Sequence, residues 1–154
     1  MKIILRTSLV AVIALAGVTA CQAPLVWAEE GEGFQAVVTD KATKTECSAC
    51  HMAFPPVMLP AQSWQTIMDG LDNHFGENAS LDDKLRQNIT DYLVNNAGRF
   101  RYDEKALRIT ETRWWVAAHE GEVRPGAFNS PRVGSKANCV ACHRGAERGY
   151  YEDD

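Results

Sequence analysis

The chain has few of the residue types that carry metal and redox chemistry, so each one can be accounted for. Its 154 residues include five cysteines and four histidines. It has an apolar run at 9–20, which is short for a membrane helix. No other stretch is long and apolar enough to span a membrane. It also lacks a convincing run of alternating apolar and polar residues, the pattern of a β-strand. We therefore expect a mostly α-helical protein with no transmembrane span in the mature chain.

The sequence also lacks an excess of basic residues. Apart from Lys2 and Arg6, which lie in a targeting segment, 14 basic residues oppose 20 acidic ones, a net charge of −6. This balance argues against nucleic-acid binding, which requires a basic surface. It favours partners that present a positive patch.

The first residues have the pattern of an export signal. Two basic residues precede the apolar run at 9–20, which is short for a membrane helix. Small residues before a cleavage point after Ala28 predict a signal peptide over 1–28. The segment ending at Cys21 resembles a lipoprotein box, so a lipid anchor at Cys21 is the alternative. Both routes export the chain, and we expect it in the periplasm.

One five-residue motif occurs twice, at 47–51 and 139–143. Cys-x-x-Cys-His is the attachment signature of c-type haem. Its two thiols add to the haem vinyl groups, and its histidine ligates the iron. The motifs predict two covalent haems, each containing iron. The predicted attachment cysteines are Cys47, Cys50, Cys139 and Cys142, and the predicted iron ligands are His51 and His143.

Two other uses of paired cysteines fit the sequence less well. A redox dithiol of the thioredoxin type requires a strand–helix–strand context that is missing here. Two cysteine pairs that share zinc usually lie about 15–20 residues apart. Here 88 residues separate Cys50 from Cys139. Zinc also leaves the histidine after each pair unexplained.

The two remaining histidines match the number of iron positions still to be filled. His74 lies 23 residues after His51, and His119 lies 24 residues before His143. Two haems with six-coordinate iron need four axial ligands. The simplest hypothesis makes His74 and His119 the second ligands of haem 1 and haem 2. A histidine on an apolar helix face is more often a packed side chain, and Met58 is a competing ligand for haem 1.

Apolar spacing and capping residues predict five helical segments: 43–51, 61–75, 80–96, 111–120 and 136–146. In the second, His74 continues an apolar face at three- and four-residue spacing. In the third, Ser80 is the predicted N-cap. Proline and glycine punctuate the connections, which predicts long loops.

These elements predict a small c-type cytochrome-like fold, in which helices and long loops wrap around two covalent haems. A charged connector at 99–108 separates the motifs. We therefore divide the mature chain into an N-terminal haem 1 domain at 29–105 and a C-terminal haem 2 domain at 106–154.

Several longer stretches resemble the bacterial dihaem cytochromes c, a family often abbreviated DHC. The similarity extends over nearly all of residues 44–153. The stretches that carry it are 47–56, 59–64, 74–81, 109–115 and 137–143. The resemblance implies a periplasmic electron carrier with two haems, and it implies histidine ligation on both sides of each iron. It further implies redox partners such as a small monohaem cytochrome and a membrane cytochrome b.

Electron transfer without enzymatic activity is the leading hypothesis, because two imidazoles per iron leave no position for a substrate. A haem-based ligand binder or small redox enzyme with one labile axial position is the alternative. A third possibility is a subunit whose haems serve a larger membrane complex, which a lipid on Cys21 would favour.

The intact mass of the exported protein tests the predicted N-terminus and haem content together. We expect the mass of residues 29–154 plus two covalently attached haems. The precursor should be expressed in a bacterium that attaches c-type haem. A mass that fits a chain starting at a lipidated Cys21 would contradict cleavage after Ala28.

Overall fold

The computed structural model describes residues 36–100 and 105–151. Within these ranges the chain forms four α-helices: α1 at Lys41–Cys47, α2 at Ala61–Asp69, α3 at Asp83–Asn95 and α4 at Arg113–His119. Short 3₁₀ turns and irregular loops connect them. The described residues contain no strand, only two isolated bridges, Pro60 with Gly98 and His74 with Glu77. The predicted mostly α fold with long loops is confirmed.

Helix α1 begins at a side-chain cap and ends inside the first motif. The Asp40 carboxylate accepts hydrogen bonds from the Thr43 amide and the Thr43 hydroxyl, both 2.7 Å long. The predicted helix over 43–51 is wrong at its C-terminal end, since α1 stops at Cys47. The hydrogen bonding then changes to the 3₁₀ type, since the Ala49 N–H donates to the Glu46 carbonyl three residues back. The motif thus begins on a helix and ends in a turn.

Helix α2 is shorter than its apolar periodicity predicts. It ends at Asp69 with Gly70 at the C-cap, and a 3₁₀ turn follows at Leu71–Asn73. Glycine in a helix costs about 1 kcal/mol relative to alanine, which makes Gly70 a natural end point. His74 therefore lies beyond the helix, and the prediction of a continuous helix over 61–75 is wrong.

Helix α3 is capped by Asp82 rather than by Ser80. The Asp82 carboxylate accepts from the Lys84 and Leu85 amides, at 3.0 and 3.4 Å. Ser80 instead lies in the preceding loop, where its N–H donates to the Asn78 side chain. The carboxylate also interacts favourably with the positive end of the helix dipole.

The core lies between α2 and α3 and extends to the elements that follow residue 105. Ile89 and Leu93 of α3 are 0% and 2% exposed. Ile109 and Trp115, from the C-terminal part, belong to the same buried cluster. The other members of the cluster are Met58, Leu59, Trp64, Ile67, Met68 and Leu71. The division into two haem domains at 105/106 remains a prediction.

The segment of the second motif is not the predicted α-helix over 136–146. It forms two 3₁₀ turns, Cys139–Ala141 and Ala146–Arg148. The Asn138 side-chain amide donates to the Val133 carbonyl at 2.9 Å, and Ser135 Oγ accepts from the Ala137 N–H at 3.1 Å. Such side-chain bonds to the backbone compete with helix formation.

No helix within residues 36–100 and 105–151 combines the length and apolarity needed to cross a membrane. The predicted signal peptide over 1–28, its cleavage after Ala28 and the alternative lipid on Cys21 lie outside the described residues.

The cap of α3 gives a direct stability prediction. Replacing Asp82 by Ala leaves the first amides of α3 without their acceptor, and we expect unfolding free energy to fall by about 1 kcal/mol. Ser80→Ala is the matched control, with an expected change below about 0.5 kcal/mol. Urea denaturation of the haem-loaded protein measures both. A larger loss for Ser80→Ala than for Asp82→Ala would contradict the observed cap.

Candidate haem sites

The first motif places its histidine at the edge of the turn that follows α1. The His51 ring nitrogen Nδ1 lies 2.7 Å from the Met52 carbonyl oxygen. A carbonyl can only accept, so Nδ1 carries the proton and Nε2 keeps its lone pair. A histidine that binds metal commonly has its second nitrogen held in this way. The backbone carbonyl of the next residue, Met52, thus orients the His51 ring as a ligand.

His74 faces His51 from the turn that follows α2. The two ring centres are 6.1 Å apart, and the ring planes differ by 20°. Two backbone hydrogen bonds hold this turn: the His74 N–H donates to the Glu77 carbonyl at 2.7 Å, and the Glu77 N–H returns one at 3.2 Å. The structure therefore brings together the predicted pair for haem 1, although His74 is not on a helix.

Aromatic rings stand against both histidines of this pair. Phe54 stacks on His51 with ring centres 4.8 Å apart, and Phe75 lies edge-on to His74 at the same distance. The Arg108 guanidinium lies over the Phe75 ring, 4.1 Å from its centre. Phe75 adopts φ of 55°, which is uncommon for a bulky residue. These contacts fix the orientations of the two imidazoles.

The electrostatic surroundings favour the neutral form of His74. Partial burial lowers the pKa of the His74 imidazole, and the nearby His51 and Arg108 lower it further. Only the neutral imidazole has a lone pair to donate to a metal. His74 is therefore in the protonation state that a ligand requires at neutral pH.

The second pair is built from the last residue of α4 and the second motif. The ring centres of His119 and His143 are 6.1 Å apart, with planes at 85°. The Nδ1–H of His119 donates to the Trp115 carbonyl at 2.8 Å, again leaving Nε2 as the lone-pair nitrogen. The Trp115 ring stacks on His119 at 4.0 Å. The sequence prediction that Trp115 and His119 share a helix face is confirmed.

Both pairs have the separation required by one metal ion held between two imidazoles. A metal–imidazole bond is about 2 Å long. Adding roughly 1 Å from each bonded nitrogen to its ring centre puts two opposed rings about 6 Å apart. The observed 6.1 Å in both pairs matches this value. The residues present therefore fit an iron bound between each pair.

Met58, the competing ligand for haem 1, packs in the apolar core. It belongs to the buried apolar cluster and is 3% exposed. The ring that faces His51 is that of His74.

The described residues give no support to the two alternative uses of the cysteines. Burial, with a smaller contribution from Glu46, raises the pKa of the Cys47 thiol to about 11. Burial also raises the pKa of Cys139. A redox dithiol requires the opposite shift, toward the thiolate. No cluster of three or more potential metal-binding side chains, such as a four-cysteine zinc site, occurs in the described ranges.

Some residues of the sites carry no clear signal in the sequence. Phe75 adjoins His74, and such an adjacency gives a weak indication of contact. The Phe54 ring lies against His51, and the Phe128 ring lies near His119. Both contacts depend on the conformations of the loops that carry the phenylalanines. Arg108 approaches Phe75 across 33 residues of chain, a contact that depends on the tertiary fold.

Comparisons with known proteins find a matching family model and similar solved structures. The family model described as dihaem cytochrome c matches residues 43–151. A crystal structure of DHC purified from Rhodobacter sphaeroides is 51% identical, with a TM-score of 0.67, and the match covers 74% of this chain and 98% of that one.

Two further solved structures are similar. A second structure from Rhodobacter sphaeroides, a diheme cytochrome c, is 48% identical, with a TM-score of 0.68 and coverage of 75% and 98%. The diheme cytochrome sb-DHC of Shewanella baltica OS155 is 36% identical, with a TM-score of 0.65 and coverage of 75% and 89%. No curated protein gives a significant match.

The different ring angles of the two pairs predict two distinguishable ferric signals. Parallel imidazoles act on the same iron d orbital and split the pair of π-symmetry orbitals, whereas perpendicular imidazoles act on one orbital each. Electron paramagnetic resonance of the ferric protein should show two low-spin species, one rhombic and one strongly anisotropic. A single species that accounts for both irons would contradict the angles of 20° and 85°.

Proposed function

Since the chain belongs to the dihaem cytochrome c family and is a haem-based electron-transfer protein with two covalent c-type haems, we propose a specific role for it. It is a periplasmic carrier that takes electrons from a membrane redox protein and passes them to a soluble acceptor cytochrome. A membrane cytochrome b and a small monohaem cytochrome are the proposed partners.

The proposal assigns each iron two histidines. His51 and His74 ligate haem 1, and His143 and His119 ligate haem 2. Cys47 with Cys50, and Cys139 with Cys142, form the thioether bonds. The observation that carries this assignment is the separation of 6.1 Å between the ring centres of each pair.

Filling both axial positions favours electron transfer over catalysis. Oxygen chemistry or ligand sensing needs an iron with an open or labile position. With the rings held by Nδ1–H bonds to backbone carbonyls in His51 and His119, little rearrangement accompanies a change of redox state. The protein's part is to hold four imidazoles in place, while the haem would supply the one-electron chemistry. We therefore propose a carrier rather than an enzyme.

The ligand type also favours a low reduction potential. A histidine–methionine pair raises the potential of a c-type haem relative to two histidines, because thioether sulfur stabilises ferrous iron. With four histidine ligands, we expect a low-potential carrier that donates electrons to acceptors of higher potential.

Removing one distal histidine should leave one iron with an unoccupied axial position. For His74→Ala or His119→Ala, we expect one of the two haems to become high-spin and to bind one equivalent of carbon monoxide, while the other stays low-spin. Optical spectra with carbon monoxide titration measure both effects at neutral pH.

Met58→Leu is the matched control, since it conserves the volume of a buried apolar side chain and should leave both haems low-spin. Unchanged spectra in either histidine variant would refute that ligand assignment. Stoichiometric binding of carbon monoxide by the unaltered protein would contradict the pure-carrier proposal.

A further inference from the structure

The charges of the described residues are unevenly divided between the two parts of the chain. Residues 36–100 contain five basic and eight acidic side chains, whereas residues 105–151 contain eight basic and four acidic ones. The net charges of these two ranges are therefore −3 and +4. The three acids at 152–154 reduce the net charge of residues 105–154 to +1.

The basic side chains are concentrated around the second motif. Arg132, Lys136, Arg144 and Arg148 are all exposed, and Glu147 is the single acid between 132 and 151. Three more acids, at 152–154, lie outside the described residues.

Two of these basic groups lie directly against the haem 2 site. One Arg132 guanidinium nitrogen donates to the carbonyl of Ala141, within the motif, at 3.0 Å. The Lys136 ammonium lies 5.7 Å from the centre of the Trp115 ring, which stacks on His119. Arg144 follows His143 directly in the chain.

An exposed apolar residue lies within the motif itself. Val140, between the two cysteines, is 40% exposed. An apolar centre bordered by charge is the usual composition of a transient protein interface. Electron transfer requires close approach to a haem edge, and an exposed motif provides such an approach.

We propose that the basic docking surface, defined as Arg132, Lys136, Val140, Arg144 and Arg148, binds a redox protein that presents carboxylates around its own redox centre. This inference rests on the proposed electron-carrier function and specifies the partner of haem 2. Opposite charges steer such partners together and raise the association rate.

The surroundings of His74 carry both signs of charge. The exposed acids Asp72 and Glu77 precede and follow His74 in the chain, and Arg108 lies over the neighbouring Phe75 ring.

The test uses the dihaem protein and a reduced plant-type [2Fe–2S] ferredoxin, an acidic, low-potential donor, as the probe. Stopped-flow absorbance gives the second-order rate constant of haem reduction over a range of ionic strength. We expect Lys136→Glu and Arg148→Glu each to lower the low-salt rate constant at least about threefold, with the difference disappearing at high salt.

Lys84→Glu is the matched control. Lys84 is exposed on α3, and its replacement changes the total charge by the same amount. We expect its rate constant to equal that of the unaltered protein. If Lys84→Glu has the same effect as the two docking-surface variants, total charge explains the rates and the docking surface is refuted. Unchanged rates in both docking-surface variants refute it as well.

Two other occupants of the surface are distinguished by parallel measurements. Salt-sensitive self-association in sedimentation velocity, lost in Lys136→Glu, would assign the surface to a second copy of the chain. Salt-sensitive binding to phosphatidylglycerol vesicles, lost in the same variant, would assign it to a membrane. Either result overturns the proposal. Reversible reduction by dithionite should be unaffected in every variant; its failure would instead refute the electron-carrier function.

Discussion

The spacing of paired imidazole rings is the constraint on which the rest of the structure depends. In two pairs that share no element, the ring centres are 6.1 Å apart. One ring in each pair is oriented by an Nδ1–H bond to a backbone carbonyl, Met52 for one and Trp115 for the other. The bond selects the tautomer that leaves Nε2 available. Short helices, tight turns and stacked aromatic rings serve this arrangement at both sites.

This constraint explains why the elements depart from simple helical periodicity. Had α2 continued to residue 75, His74 would have stayed on the apolar face that packs in the core. Instead Gly70 ends the helix, and a 3₁₀ turn leads to the loop that presents His74 to His51. The second motif likewise lies in 3₁₀ turns, which follow from local side-chain bonds to the backbone.

The chemistry was more predictable from the sequence than the backbone was. The two motifs and the count of four histidines were sufficient to predict the pairs, because residue type and number limit what can ligate iron. Helix ends were harder to predict, since Asp82 and Ser80 are both good cap residues by type and the structure uses Asp82. Contacts such as Arg108 over Phe75 depend on the full fold. The division of charge can be read from the residue order, but its position beside haem 2 requires the structure.

The central claim is that each iron lies between two histidines, and iron K-edge X-ray absorption of the ferric protein tests it most directly. We predict two six-coordinate irons with nitrogen ligands only, the axial ones at about 2 Å. A sulfur neighbour at about 2.3 Å, or an average coordination number below six, would contradict it.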